Sequence, residues 1–538
     1  MFARNVGLPL QILMLCLATS HLPAQSRQAP PGTFKDLNDA IAGDALLIRD
    51  KQLFVDDYVI GELQGLQKVL NQPVKHPRNP VLVRDRAWEE SGPGYGSVLY
   101  DADEKLFKMW YTFWKEVDGT STSLMCYATS SDGITWTKPV TDKQGQTNLL
   151  AHPAIQGFQC PGVFKDPRDP DPRRRYKMLF SCNPDGTAKT WMTSAATSAD
   201  GLHWDAVTPT ALIPFSDTQV CPFWDRQHQR YVALLRFGPP NTRIVSRIES
   251  RDFRHWSPKV TVLRRTPMDA ALSTQFYQTA PFPYASVYFG LIAAYHGETI
   301  KPIPKDKPWV DRKNLQLCFS RNGVVWHRVG QRGAISAAEF QQDRDWQQVA
   351  QNAVFLPYGE KDKDWDWGAV SPYFTAEPIV VGDQIWFYYM AQNGRNWWNF
   401  KGDPPKRDPQ AKPPTKGVGL ATLRLDGFVS LETKQQGTVT TKPLLFLGDT
   451  LLVNADARGG KLLVEALDGD GKPIPGFAAS DCRPITTDSV RHVVTWNDKP
   501  DCHLLQARPI RLRFSLTNAR LFAFEPAIRR NHYLQSYD

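Results

Sequence analysis

The chain has 538 residues, a net charge of +9, 41% hydrophobic and 22% charged residues, and 17 Trp. These proportions exclude wholesale disorder, and 36 Gly with 42 Pro lacking any G-x-y period exclude collagen. The length suits two to four structural units, and the basic balance, spread along the chain, suits acidic partners without specifying a fold.

Met1 to Arg4 is a short basic start, and "VGLPLQILMLCLA" from Val6 to Ala18 is an apolar run followed by small and polar residues. This order predicts a signal peptide over 1–24 with cleavage after Ala24, although Leu22 is large for the position it takes before the cut. A membrane span needs about 20 apolar residues. No stretch here reaches that length, so a secreted or periplasmic protein without stable membrane insertion is expected.

Downstream, an internal repeat predicts the architecture. "YATSSDGITW", "SAATSADGLHW", "RIESRDFRHW" and "CFSRNGVVW" end at Trp136, Trp204, Trp256 and Trp326. Each is a strand, an Asp or Asn, and a Trp four positions later. A fifth, weaker copy, "LATLRLDGFVS", keeps Asp426-Gly427 but has Ser430 in place of the Trp. Asp-Gly and Asn-Gly supply the positive φ of tight turns. The tryptophans are 68, 52 and 70 residues apart, room for about four strands each, which is the size of a propeller blade. Five paired apolar runs, such as "GVFKDPRDPDPRRRYKMLF" and "EPIVVGDQIWFYYMA", accompany the five turns. The expectation is an all-β chain: a five-bladed β-propeller over 45–436 and a small antiparallel β-sandwich over 441–527. Helical pattern is confined to a short stretch around Ala334 to Gln342, and the Pro- and Lys-rich run from Asn399 to Lys416 reads as a solvated loop.

Seven cysteines remain after the signal, and none forms a C-x-x-C pair, which argues against zinc and thioredoxin chemistry. Cys482 and Cys502 stand equally as a disulfide or as two buried thiols.

"LFVDDYVI" from Leu53, "DTQVCPFWD" from Asp217, "ATLRLDGFVS" and "PIRLRFSLTNARLFAFE" from Pro509 resemble secreted bacterial propeller proteins of the glycoside hydrolase family 32 and family 43-like group. The resemblance implies a channel to which the first three blades each bring an acid. This chain departs from that pattern. "WEESGPGYGSV" leaves Glu89 and Glu90 in the first blade, "FQCPGVF" puts Gln159 and Cys160 in the second, and "DTQVCP" offers Gln219 and, two residues earlier, Asp217 in the third. Residues two apart on a strand share a face.

Glu377, ahead of the apolar "PIVV", is expected as proton donor, because an apolar surround raises a carboxyl pKa. Asp217 and Glu89 are the expected further catalytic acids, all three at one channel opening. Substrate contacts are assigned to Trp88, Tyr95, Gln219, Asp269, Gln275, Tyr277, His296 and Trp367, with Trp224 as a further ring suited to a sugar's C–H face. No nucleotide or redox cofactor is expected, since no Gly-rich phosphate loop opens a helix, and no metal is expected, since the acid cluster "DPRDPDP" reads as a turn with solvated acids rather than a metal site. No nucleic-acid motif is present. The partner is a carbohydrate, and the basic balance suits an anionic one. Three functions stay open: a hydrolase with paired carboxylates, a carbohydrate-binding propeller that has lost catalysis, and a polysaccharide lyase. A lyase needs Tyr or His beside Lys or Arg, and Tyr295-His296 keeps it open.

Overall fold

The computed structural model describes residues 45–535 except 118–119, 152–157, 184–190, 208–214, 239–241, 298–305, 336–342, 375–376, 397–399, 402–405, 408–409, 411, 413, 507 and 531–532. The expected signal peptide, half of the Asn399–Lys416 loop and most of the Ala334–Gln342 stretch lie outside the described residues. The chain is all-β. Among the described residues the α-helices are Pro267–Ala271 and Trp346–Asn352.

Three antiparallel four-stranded meanders follow one another. The first holds Gly96–Asp101, Leu106–Val117, Thr120–Ser130 and Leu149–Leu150; the second Gln159–Lys165, Tyr176–Cys182, Met192–Ser198 and Asp205–Ala206. The third holds Cys221–Asp225, Arg230–Phe237, Ile244–Ser250 and Val260–Leu263. A fourth run begins with Thr274–Tyr284, Val287–His296 and Arg312–Ser320, and a fifth is built on Ala369–Ser371, Gln384–Gln392 and Lys416–Arg424. One parallel bridge, Lys313 to Ala369, joins these last two. The outer edge of the fifth is supplied from the chain's start, by Val74–Lys75 and Leu82–Val83 paired to Lys416–Arg424.

The first strands of the meanders neighbour one another around a channel. Val98 N donates to Phe374 O at 3.1 Å, and Val163 N donates to Ser97 Oγ at 2.9 Å. Gln219 Nε2 donates to Gly96 O and Pro161 O, both at 2.6 Å, tying three meanders through one amide. Gln278 Nε2 continues the ring, donating to Gln219 Oε1 at 3.4 Å. The approach is close enough that a Cβ on Gly162 would stand 2.2 Å from Val220 O.

The repeated turn joins the third and fourth strands. Ser130, Ser198, Ser250 and Ser320 donate to Asp132, Asp200, Asp252 and Asn322, whose Oδ1 atoms accept the next turn's backbone N–H groups at 2.7–3.0 Å. This is an Asx-type turn in which the side chain replaces a hairpin's backbone bond. The tryptophans pack between adjacent meanders. Trp204 shares a core with Trp110 of the preceding meander and Tyr176 of its own, and Trp326 shares one with Phe223 and Val232 of the preceding meander.

A second staple recurs at the far ends of the inner strands. Tyr176 donates to Asp101, Tyr231 to Asp166 at 2.7 Å and Tyr288 to Asp225 at 2.6 Å, each phenol reaching back to the preceding meander. Lys108 and Lys165 add ion pairs to Asp101 at 3.2 and 2.5 Å. These contacts hold Asp101 well below the ordinary carboxylate range, against the opposing effect of burial.

The C-terminal sheet begins earlier than the sequence suggests. Its nine strands include Val429–Thr441 and, from the N-terminal side, Gln52–Leu53, Ile60–Gln64 and Gln67–Leu70, while Leu46–Ile48 pairs separately with Leu444–Phe446. Leu451 and Phe477 fill the sheet's own core. Contact with the meanders runs through Leu53, Val55, Val490 and Ala523 against Phe282, Phe289 and Phe428. Cys482 and Cys502 are buried free thiols.

Candidate functional site

Residues at one mouth of the channel come from three kinds of strand end. Starts of inner strands bring Tyr95, Cys160, Asp217, Gln275 and Tyr277; ends of second strands bring Arg236 and Tyr295; starts of third strands bring Arg243, Lys313 and, from the fifth meander, Lys416. Tyr373 follows the short strand Ala369–Ser371.

Four phenol rings and four cations make this rim. Tyr95 and Tyr373 pack at a tilt with centroids 4.4 Å apart, and Tyr277 meets Tyr295 edge-on at 5.7 Å. The ring of Tyr277 carries Lys313 Nζ at 4.2 Å, Arg236 at 4.7 Å and Arg243 at 5.2 Å. Such contacts hold cations in place without neutralising them. Arg243 Nη1 donates to Gln275 Oε1 at 2.9 Å. Against these charges stand Asp311, buried and accepting from Tyr295 Oη at 2.8 Å, and Asp217, whose side chain is 69% exposed and accepts from Arg236.

Among the described residues neither Lys313 nor Lys416 has a carboxylate within ion-pair distance. Lys313 is only 4% exposed. Burial brings its pKa down from 10.5 to about 7, assisted by Lys416, Arg236 and Arg243 and opposed by Asp311. Burial lowers Lys416 as well. Burial raises Tyr95 and Tyr373, so both keep their protons, and it raises the Cys160 thiol, with the charge on Asp217 adding to it. Cys160 takes a positive φ of 58° at a bulge in the inner strand Gln159–Lys165. Here the resemblance leads one to expect an acid; the chain has a neutral thiol.

The expected acids do not meet. Glu377 is exposed, and desolvation raises its pKa. The charges it feels are those of Arg226, Arg168 and Asp166, which follow or lie just beyond the far ends of inner strands. Cys160, which feels Asp217, and Asp166 are six residues apart on one extended strand, about 20 Å. Glu377 and Asp217 therefore stand at opposite ends. Glu89 is 2% exposed and fully engaged: it accepts from Tyr111 Oη at 2.5 Å, from Lys138 Nζ at 2.8 Å and from the backbone of Asp85 and Arg86. It pins a loop.

The expected substrate contacts divide in the same way. Tyr95, Gln275 and Tyr277 are at the rim. Gln219 is consumed by the ring of inner strands described above. Trp88 donates from Nε1 to Asn148 Oδ1 at 3.0 Å within the packing beside Glu89. Asp269 is buried, pairs with Arg328 at 3.0 Å and caps the helix Pro267–Ala271. His296 is held between Thr274 Oγ1 and Asn314 Nδ2, both at 2.9 Å, and burial brings its pKa down to about 4. Its ring stays neutral and enclosed. Trp367 lies 5.1 Å beneath the Arg312 guanidinium, next to the bridge that holds Lys313. Trp224 is covered by Arg168 at 3.9 Å, at the opposite end from the rim. Among the described residues no cluster of His, Cys, Asp and Glu could hold a metal ion.

Arg236, Arg243, Lys313, Lys416 and Tyr373 were outside the sequence expectations. For the cations the signal was a basic residue at the rim end of a strand, as in "RYVALLRF" and "RKNLQLCFS". It becomes visible only once the strand directions are known.

No family profile and no curated protein matches this sequence. Among solved structures, the chain is similar to an N-acetylgalactosamine deacetylase from F. plautii in complex with blood group B trisaccharide. That likeness has a TM-score of 0.41 and 13% identity over 68% of this chain and 96% of that one. It is also similar to a beta-1,2-mannobiose phosphorylase from Listeria innocua, with TM-score 0.42 and 12% identity over 65% and 96%. A third likeness is to a glycosyl hydrolase from Bacteroides ovatus, with TM-score 0.39 and 13% identity over 65% and 93%. No residue of these proteins is carried over to this chain.

Proposed function

We propose that this is an exported carbohydrate-active protein, its five meanders the blades of a propeller, and that the rim around Tyr277 binds an acidic sugar unit. The observation that carries the reading is the convergence of charge: Arg236, Arg243 and Lys313 gather on the Tyr277 ring with Lys416 beside Lys313, and among the described residues the rim carboxylates are Asp217 and Asp311. Guanidinium groups suit a carboxylate or sulfate, and the rings suit the C–H face of a sugar. Hydrolysis by two protein carboxylates requires a pair about 5–10 Å apart. Among the described residues the exposed Asp217 has no second accessible carboxylate at the rim, since Asp311 is buried and bound to Tyr295.

The test is binding of uronic-acid oligosaccharides beside the same oligosaccharides reduced to neutral sugars. The acidic forms should bind at least about tenfold more tightly, a difference of about 1.4 kcal/mol. The preference should fall as salt rises and should shrink in Arg243→Gln. Equal affinity for the neutral forms would remove the acidic-ligand reading.

A further inference from the structure

We propose that the rim is built for proton abstraction next to a sugar carboxylate, with Lys313 as the base and Tyr277 as the proton donor, so that a uronate-containing glycan is cleaved by β-elimination. The inference rests on the acidic-sugar reading above and adds the reaction.

The geometry supplies each part that the chemistry needs. A proton on the carbon next to a carboxylate is removable only if the charge that develops on that carboxylate is stabilised. Arg236 and Arg243 stand 4.7 and 5.2 Å from the Tyr277 ring centre, on the ring that Lys313 Nζ approaches to 4.2 Å. A carboxylate drawn to the two guanidinium groups is thus brought beside the amine. The base must carry a free lone pair. The groups that face Lys313 are Asp311 from its own approach, Lys416 from the fifth meander, Arg236 and Arg243 from the third, and the rings of Tyr277 and Tyr373. One carboxylate among three other cations, inside the protein, favours the uncharged amine, and the lysine's titration near neutrality agrees. The donor must be protonated and reachable. Tyr277 is half-buried at the channel mouth, and the negative charge left after donation forms among three cations.

The step balances without water or a redox partner. The Lys313 amine takes the C5 proton of a 4-linked uronate. The C5–H electron pair becomes the C4=C5 double bond, the C4–O4 bond breaks, and O4 takes the Tyr277 proton. The products are an unsaturated uronate on one fragment and a free hydroxyl on the other. Proton transfer from the lysine ammonium to the tyrosinate through solvent restores both groups.

The experiment incubates the mature protein with polygalacturonate, alginate and hyaluronan, recording the ultraviolet absorbance of the conjugated C4=C5 bond, new reducing ends and binding. At least one polymer should give unsaturated ends equal in number to new reducing ends. Lys313→Met and Lys313→Arg should each lower that rate by about 100-fold or more, the range of a lost general base. Lys313→Arg should still bind, because it keeps the charge. The wild-type rate should rise with pH through about 7, and any residual rate in Lys313→Arg should lack that rise. Tyr277→Phe should slow turnover more than it weakens binding. New reducing ends without unsaturation, or full elimination by Lys313→Arg, would overturn the assignment. Binding of the acidic polymers with no cleavage would overturn elimination and leave the acidic-sugar reading standing. Absence of binding to all three would overturn both.

Discussion

The two ends of the channel use similar residues to opposite effect. At the far ends of the inner strands, Asp101, Asp166 and Asp225 each accept from a tyrosine of the next meander and face Lys or Arg. Lys108 and Lys177 are buried there, and both have acid partners at 2.6 Å, in Glu104 and Asp169. At the rim, Lys313 is nearly as enclosed and Lys416 is half-buried, and among the described residues neither has a carboxylate within ion-pair distance. A buried charge that is paired and hydrogen-bonded can hold an architecture together, whereas one left without a counter-ion costs stability. That contrast separates the end that ties the meanders together from the end where we propose the sugar site. Functional sites are where such locally unfavourable arrangements persist.

The largest effect should come from breaking the structural end. Asp101→Ala leaves Lys108, 2% exposed at its side chain, with only the exposed Glu104 for charge, and it removes the acceptor of Tyr176. Removing one partner of a buried pair costs about 3–5 kcal/mol. The variant should unfold at markedly lower denaturant, and an unchanged midpoint would mean the staple contributes nothing. The same carboxylate gives acid sensitivity. Its folded pKa is depressed, so its contribution is present above the unfolded value of 3.8 and is lost as pH falls through the lower folded one.

At the rim the sign reverses. Lys313 titrates at about 7 when folded and at 10.5 when not, so between these values the unfolded chain holds the extra proton and stability climbs with pH. Below about 7 both states are protonated and the whole burden of an enclosed charge remains. Lys313→Met should therefore melt higher than the wild type at pH 7 and below, by roughly 2 °C or more, and the gap should close toward pH 10.5. A variant that is less stable at pH 7 would show that Lys313 is a structural lysine of the Lys108 kind.

This difference also explains what could be read from the sequence. The turn motif is local: Asp132, Asp200, Asp252 and Asn322 make their bonds within three residues, so their spacing exposed the repeat directly. The alternation of apolar runs gave the strands for the same reason. The N-terminal strands 46–70 were assigned to the propeller region because nothing local records that Gln52–Leu53 pairs with Phe524 and Ala523, more than 400 residues away. The rim fails in the same manner. Tyr277, Arg236, Lys313 and Lys416 come from three meanders, and only closure of the ring brings them together. The carboxylates that attracted attention, Glu89 and Asp269, are chemically suitable but already engaged, by Tyr111 and Lys138 in one case and by Arg328 in the other. Residue type shows what a group can do, while its partners decide whether it is free to act.

The smallest effects sharpen the comparison most, because they concern the two acids that the sequence placed together. Asp217 is exposed and shares Arg236, and exposed pairs are worth about 0.2–1 kcal/mol. Asp217→Asn should release the guanidinium for an anionic ligand and raise affinity for an acidic oligosaccharide by about two- to fivefold, with little change in melting. Glu377 lies near Arg168 and Arg226 at the other end. Glu377→Gln should change rim binding and turnover by no more than about twofold, as substitutions remote from a site do. Because desolvation raises its folded pKa above 4.5, this carboxyl makes stability fall as pH rises from 4.5 through the folded value. The glutamine variant should accordingly be as stable as the wild type at neutral pH, or slightly more so. A large loss of turnover in both variants, with binding retained, would instead describe two carboxylates acting on one bond. The channel would then have to be threaded by the substrate from end to end, and the cationic rim would be its entrance and not its centre.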